Sequence, residues 1–522
     1  MTAIAATAAH RAPQNDGTAP PLTGLPLYIA AILIGLGNFL VVLDTTIANV
    51  SVPTIAGNLG VSSTQGTWVI TSYAVAEAIT VPLTGWLAKK FGAQRTFITC
   101  YLGFAAISLL CGMANSLGML LGMRVLLGLV GGPIMPLSQM LLLRVFPKEK
   151  ATLATVIWAM TTLIGPVAGP ILGGIICDNY GWAWIFFIKV PIAAGGGLVL
   201  MMLMKGQADP KFPAFIDKVG LVLLIVWVGA LQIMLDEGRN KDWFNSPEIQ
   251  TLGIIALIGF IAFMIWELTE KNPIVDLRIF RYRGFVGAAT TYAVGFGGFF
   301  ASIVILPLWL QSNMGYTATW AGYATGIMGI LAVLSAPFVG KACEKFDPRF
   351  IVCGGVLGLA GIMVWRMWTF NSDVTFLQMA WPTLVTGVFM VMFFVPVTGL
   401  AMASVDHDEQ ANAAGLSNFM RTLAGAFATS LIQSEWSNAT RSNTTELANA
   451  MQHGKAAVDA MLAQGIPLEN ARAILAMVVD QQAVMLATLN MFGVIAICLG
   501  FAATIIWLVP KPKGPIDTSG AH

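Results

Sequence analysis

The sequence predicts an all-α membrane protein with fourteen transmembrane helices, in two six-helix halves with two further helices inserted between them. Three observations predict it. Of 522 residues, 57% are apolar and only 10% charged, where soluble domains carry about 25% charged residues. Fourteen runs are long and apolar enough to cross a bilayer. A short basic turn recurs at the same place in each half. So few polar groups cannot cover so apolar a core in water, which excludes disorder, an ordinary soluble enzyme and a nucleic-acid binder. The 54 glycines suit close helix packing in lipid. The six cysteines show no paired spacing, so neither a metal site nor a disulfide framework is expected, and no cofactor.

A helix needs about 20 mainly apolar residues to cross the hydrocarbon. The runs are 27–49, 67–88, 96–114, 117–143, 153–176, 182–204, 219–235, 250–268, 284–310, 320–340, 350–369, 374–400, 412–434 and 484–509. Spans 5 and 13 are rich in Gly, Ser and Thr, and span 7 is short. Residues 1–26 and 510–522 read as cytoplasmic tails, with no signal-peptide core before span 1. The first half is 27–204, the linker with the two inserted spans 205–283, and the second half 284–509. Segment 435–483 is the one long extramembrane stretch. Within it Thr444–Gln464 and Pro467–Gln482 read as polar or amphipathic helices. Nineteen Lys and Arg fall on the side of the N-terminus, five on the opposite side, and four inside spans. The positive-inside rule then places both termini in the cytoplasm and 435–483 outside.

Spans 2 and 3 are joined by Gly85-Trp-Leu-Ala-Lys-Lys-Phe-Gly-Ala-Gln-Arg95, and spans 10 and 11 by Gly340-Lys-Ala-Cys-Glu-Lys-Phe-Asp-Pro-Arg349. Parallel halves related by an axis along the membrane normal are the plan of the major facilitator transporters.

A charge in mid-span costs about 2.5–3.5 kcal/mol on insertion scales, so Asp44, Glu77, Arg124, Lys189, Arg366 and Arg421 are the functional candidates. Their alternative role is a structural ion pair between helices. Glu77 shares a helix face with Tyr73, Thr80 and Thr84, a polar stripe expected to line a water-filled cavity. Away from bulk water a carboxyl favours its protonated form, which suits a proton carrier. Asp44, followed by Thr45, Thr46 and Asn49, is either an acid in the cavity or a structural carboxylate. Arg124 is continued on its face by Gly128, Gly131, Met135 and Ser138, where glycines let a neighbouring helix approach. Arg421, with Ser417, Asn418 and Gly425, either contacts substrate or pairs across the halves. Arg366 is expected to snorkel from the outer end of span 11, and Lys189, followed by Pro191, has no assigned role. No histidine lies in a span, so a proton relay must use carboxylates and water.

In span 5, Gly165-Pro-Val-Ala-Gly-Pro-Ile-Leu-Gly-Gly174 places Gly165, Gly169 and Gly173 on one side. That ridge permits close packing. Pro166 and Pro170 remove backbone donors and allow bending. Phe285, Tyr292, Phe296 and Phe299 lie near one face of span 9, and Trp320 and Tyr323 open span 10. They are either helix packing or an adaptable wall for bulky apolar substrates. There is no G-x-x-x-x-G-K-[ST] sequence, so an ion gradient or a separate partner supplies the energy. One charge moved across 100 mV is worth about 2.3 kcal/mol, enough for roughly 50-fold accumulation.

These residues carry a resemblance. Val41-Val-Leu-Asp44-Thr-Thr-Ile-Ala-Asn-Val50, Arg124-Val-Leu-Leu-Gly128-Leu-Val-Gly-Gly-Pro133 and Gly165–Gly174 resemble the signatures of fourteen-span drug:proton antiporters. Gln65-Gly-Thr-Trp-Val-Ile-Thr-Ser72, Pro82-Leu-Thr-Gly-Trp-Leu-Ala-Lys89, Trp184-Ile-Phe-Phe-Ile188 and Ser417-Asn-Phe-Met-Arg-Thr-Leu-Ala-Gly425 resemble the EmrB-type exporters in particular. The resemblance implies a bacterial inner-membrane proton antiporter, not an enzyme, that exports hydrophobic and often weakly acidic toxic compounds. It implies a periplasmic adaptor of the EmrA type and an outer-membrane channel of the TolC type as partners. It implies that Arg124 takes part in proton coupling and that Gly165–Gly174 is the antiporter element. Two positions depart from the pattern. Lys89 stands where the superfamily usually has an Asp, so the gating pair attributed to that Asp does not carry over. Lys189 stands where a neutral amide is expected, so span 6 is expected to differ in substrate preference.

The expected function is proton-coupled drug export. Asp44, Glu77 and Arg124 couple protons, and Tyr73, Tyr292, Phe296, Asn418 and Arg421 contact the drug. The competing readings are nutrient uptake or facilitated diffusion by the same fold, and a non-transporting sensor or scaffold. Segment 435–483 is either the adaptor contact or a solvated linker.

Overall fold

The computed structural model describes residues 22–61, 63–147, 150–207, 209, 217–238, 241–271, 273–406, 409–450 and 454–511. Most of the two tails, part of the linker and all four histidines lie outside these residues, as do the side chains of Asn49 and Pro170. Among the described residues every regular element is a helix. In chain order they are α1 (Leu25–Leu59), α2 (Ser63–Phe91), α3 (Ala93–Gly112), α4 (Leu117–Gly131), α5 (Ile134–Val145), α6 (Ala151–Asn179), α7 (Trp184–Phe187), α8 (Lys189–Leu203) and α9 (Lys218–Gly238). There follow α10 (Pro247–Thr269), α11 (Arg283–Ser312), α12 (Ala318–Gly326), α13 (Met328–Lys345), α14 (Pro348–Thr369), α15 (Phe376–Ala403), α16 (Gln410–Ala450), α17 (Gly454–Ala463) and α18 (Leu468–Ile505).

Eleven spans among the described residues are long and apolar enough to cross a membrane, and the two limbs of α6 make a twelfth. The pairs α4/α5, α7/α8 and α12/α13 each act as one span. In the first the break falls at Gly132-Pro133, where the imide nitrogen has no proton to give the helix. The remaining two predicted spans correspond to α2 and α16, whose polar content holds down their hydropathy, so a count of fourteen is compatible with the structure.

The helix pairs repeat. In the first half α1 packs on α6, α2 on α4, and α3 on both α8 and α4. In the second, α11 packs on α16, α13 on α15, and α14 on both α18 and α15. Counted as spans, these are the same pairings. The seam between them repeats too: α2 and α5 meet α16, while α12, α13 and α15 meet α6. The inserted α9 and α10 pack on each other, and α9 also lies against α2 and α16.

The two basic turns begin their following helices differently. Asp347 accepts from the backbone N–H of Arg349 at 3.0 Å and from its guanidinium at 2.7 Å, so α14 is capped by its own turn. Helix α3 follows Gly92 at φ 92°, a conformation that favours glycine. Its free N–H groups at Gln94 and Arg95 are bound instead by Asp209, at 3.2 and 3.1 Å.

Among its described residues, segment 435–483 is largely helical. Helix α16 has 41 residues and α18 has 38. At 1.5 Å per residue they are roughly 60 Å long, about twice the hydrocarbon thickness. Both therefore continue out of the bundle as an arm, with α17 near its end. Of the helix expected over Thr444–Gln464, residues 451–453 lie outside the described residues, 444–450 belong to α16 and 454–463 to α17; α18 starts directly after Pro467. At the root of the arm Trp436 Nε1 donates to Thr488 Oγ1 at 2.9 Å, and Asn443 Nδ2 to the Ala483 carbonyl at 3.2 Å.

Candidate functional site

Glycines decide how closely α2 and α4 approach. A Cβ on Gly128 would stand 2.5 Å from the Tyr73 carbonyl oxygen and 3.1 Å from the Glu77 nitrogen. One on Gly131 would stand 2.8 Å from the Tyr73 hydroxyl. Of the predicted polar stripe on α2, Tyr73 and Thr80 thus face the glycines at the end of α4 and form a helix seam there. Thr80 Oγ1 donates to its own helix, at Ala76 O, 2.9 Å away. Thr84 does the same to Val81 O, at 2.7 Å. The close approach brings Arg124 beside Tyr73, its guanidinium 4.4 Å from the ring centre.

Asp44 lies between two cations. Its Oδ2 accepts from Arg124 Nη1 at 2.5 Å, and its Oδ1 from Lys189 Nζ. All three side chains are wholly buried. Arg124 Nε is held by the Val69 carbonyl at 2.8 Å, while its Nη2 finds no acceptor among the described residues. The Lys189 ammonium is 4.8 Å from the Phe186 ring centre. The chain breaks between α7 and α8 so that Lys189 opens α8, where Pro191 is tolerated in the first turn. Sequence reasoning left Lys189 unassigned. Its signal was thermodynamic: a lysine in a span needs an acid, and Asp44 is the aspartate in another span of the same half.

Glu77 is buried at mid-helix, and among the described residues no cation lies within ion-pair distance of it. Arg421 lies with its guanidinium 4.6 Å from the Phe296 ring centre and donates to Met135 Sδ at 2.6 Å. Asn418 Nδ2 donates to Ala414 O at 2.9 Å and reaches Gln139 Oε1 at 3.4 Å. Met135 and Gln139 are on α5, so Arg421 and Asn418 contact the opposite half, through neutral partners. Tyr292 and Phe296 are buried against Phe394 at ring separations of 5.8 and 5.9 Å, and among the described residues the Tyr292 hydroxyl has no partner. Trp320 and Tyr323 are exposed on the bundle surface, away from this cluster. Sequence reasoning missed Gln139, whose signal was a lone amide in an apolar run.

The glycines of α6 face α1. A Cβ on Gly165 would stand 2.6 Å from Val42 Cγ1, and one on Gly173 3.0 Å from Ile47 Cγ1. On Gly169 it would collide with Thr46, whose hydroxyl donates to Gly165 O at 3.2 Å. Pro166 and Gly174 are buried with them. The limbs Val156–Pro166 and Ile171–Asn179 meet at 43°. The bend spans Gly169-Pro170, where missing donors and missing side chains loosen the helix. Asp44 lies between Val42 and Thr46, so this seam and the buried ion cluster share one stretch of α1. Arg366 does not snorkel. It is 2% exposed and turned into the second half, because Thr383 Oγ1 accepts from its Nη2 at 2.9 Å.

Comparison with known proteins agrees with this architecture. Residues 34–429 match the profile of the Major Facilitator Superfamily. The multidrug export protein EmrB of Escherichia coli (strain K12) is 40% identical over 502 residues, covering 95% of this chain and 97% of its own. EmrB of Haemophilus influenzae is 45% identical over 428 residues, or 82% and 84% of the two chains. The fatty acid resistance protein FarB of Neisseria gonorrhoeae is 41% identical over 497 residues, or 94% and 98%. Among solved structures, the proton:xylose symporter XylE superposes with a TM-score of 0.57 at 13% identity, over 95% of this chain and 98% of its own. The human organic anion transporter MFSD10 gives 0.55 at 13%, over 91% and 100%. At that identity the two structures establish the fold alone. Profile, relatives and fold coincide on a multi-pass membrane transporter with no enzymatic activity: the chain belongs to the major facilitator superfamily and, within it, to the EmrB-type exporters.

Proposed function

We propose that this chain exports hydrophobic toxic compounds and drugs across the bacterial inner membrane in exchange for protons, with both termini in the cytoplasm. One observation carries the reading: Glu77 is an acid buried at mid-helix, and among the described residues no cation lies within ion-pair distance of it. Such an acid can hold a proton in one arrangement of the halves and lose it when a cation draws near. Asp44 and Arg124 complete the coupling group, with Lys189 as a third member. When the bend in α6 shifts against α1, the seam that carries Asp44 shifts with it. Drug contacts Tyr292, Phe296, Asn418 and Arg421 at the seam, with Tyr73 deeper in the first half, as halves 27–204 and 284–509 rock about that seam. Drug-induced proton release from the purified protein tests this. A signal unchanged in both Asp44→Asn and Glu77→Gln would sink it.

The names of EmrB and FarB support a role in drug or fatty-acid resistance. We infer that the arm of α16–α18 is the contact for a periplasmic adaptor of the EmrA type, which leads to an outer-membrane channel of the TolC type. Removing the arm beyond Thr440 should spare transport in vesicles and abolish resistance of whole cells. Uptake by the same fold is the competing reading. A deletion strain that accumulates less dye, rather than more, would favour it.

A further inference from the structure

At the root of the arm lies a cleft that the transport reading does not use. Asn313 at the end of α11, Trp436, Thr440 and Arg441 on α16, and Asp480 on α18 are among the residues that line it. Its volume is ≈ 320 Å³, within the range of small-ligand sites, about 300–1,000 Å³. Three helices leave their apolar runs at this level. Run 284–310 ends three residues before Asn313, run 412–434 ends two before Trp436, and run 484–509 begins four after Asp480. The cleft therefore sits where hydrocarbon gives way to headgroups, the depth at which tryptophan collects in membrane proteins. Asn313 Nδ2 donates to the Gln481 carbonyl at 3.3 Å, so the walls on α11 and α18 are tied to each other.

The charges on this cleft are not answered within the protein. Arg441 and Asp480 are both exposed, and no ion pair joins them. Arg441 approaches Asp242 at 3.9 Å, with both side chains more than two-thirds exposed, a contact worth little. Among the described residues the Asp480 side chain has no hydrogen-bond or ion-pair partner. We propose that the cleft binds the zwitterionic headgroup of a phosphatidylethanolamine-type lipid, its phosphate on Arg441 and its ammonium on Asp480. A cation and an anion held apart on one cleft match a ligand that carries both charges. The guanidinium offers a planar fork to phosphate oxygens, and a primary ammonium has three N–H donors for the carboxylate. The bilayer presents this headgroup at the depth of the cleft and at high local concentration, which offsets the weakness of exposed contacts. Seated there, the headgroup braces α16 and α18 against the end of α11. The site is separate from the coupling group and stands whether or not the chain exports drugs.

The test is thermal unfolding of the purified full-length protein in detergent micelles that carry one added lipid, always with dioleoyl chains. Phosphatidylethanolamine should raise the midpoint by about 2 °C more than phosphatidylglycerol, which has no ammonium. Phosphatidylcholine, whose trimethylated nitrogen has no N–H to donate, should fall between them. Asp480→Asn should abolish the advantage of phosphatidylethanolamine over phosphatidylglycerol, and Arg441→Gln should at least halve the response to phosphatidylethanolamine. Both positions are exposed, so the variants should fold as the wild type does. Equal rises with phosphatidylethanolamine and phosphatidylglycerol in the wild type overturn the proposal. An advantage that persists undiminished in either variant does the same. Free phosphoethanolamine acting as strongly as the lipid at equal concentration overturns the lipid as occupant.

Discussion

The first half buries two carboxylates, Asp44 and Glu77, together with Arg124 and Lys189. The second buries Arg366 and Arg421 and, among the described residues, no acid. Yet the helices of the two halves pair in the same order. Packing symmetry and charge symmetry are thus independent. A six-helix unit needs small residues and apolar surface at its contacts, and both halves supply them. Among the described residues, buried acids of the kind the proposed proton exchange needs occur in only one. The other offers cations and an aromatic cluster, which suit a ligand rather than a proton.

The comparison is broken most directly at Glu77. Glu77→Gln should reduce drug-dependent proton movement in proteoliposomes to background. Activity close to wild type would mean that the first half does not own the proton. Next comes Asp44→Asn, which leaves Arg124 and Lys189 buried without their shared anion. Losing one partner of a buried pair costs about 3–5 kcal/mol. The loss should appear as a lowered unfolding midpoint, and Asp44→Asn combined with Lys189→Met should recover part of it. Gly169→Val sharpens the role of the α1–α6 seam. Overpacking there should cost about 1–3 kcal/mol, and transport should fall further than stability accounts for.

The smallest effect concerns the turns. Hydrogen bonds from Arg349 hold the Asp347 carboxyl below its ordinary value of 3.8. A depressed carboxylate lends stability that is complete above its unfolded value and is lost as pH falls through the lower folded one. Asp347→Asn should therefore lower the midpoint at pH 6 by the equivalent of about 1 kcal/mol or less. The gap to wild type should narrow below pH 4.

These turns also show what a sequence discloses. The cap of α14 is legible, because Asp347 and Arg349 are two residues apart. The cap of α3 is not, because Asp209 comes from beyond α8. The same limit applies at the site. Composition and run length give the spans, and the spacing of Gly165, Gly169 and Gly173 gives a ridge. That the ridge meets α1 is a tertiary fact. Asp44, Arg124 and Lys189 can each be singled out as costly in lipid, but their meeting depends on the depth and rotation of three helices. The reading of Arg366 as a snorkelling residue failed on rotation alone. Its place near a helix end is right, but its side chain turns inward. In segment 435–483 helices are legible, whereas the continuity of α16 and α18 into it from their apolar portions is not.

That continuity has a mechanical consequence. Helix α16 carries Asn418 and Arg421 near one end and the tip of the arm near the other, with no break between them. A rigid rod of roughly 60 Å pivoting within the bundle magnifies at its tip any tilt imposed at its root. A rotation of about 10° sweeps the last 30 Å sideways by roughly 5 Å. Whatever grips the tip is then coupled by leverage to Arg421 and Asn418 at the seam between the halves, and a stiff grip would restrain the stroke as surely as a clamp on the handle of a pump.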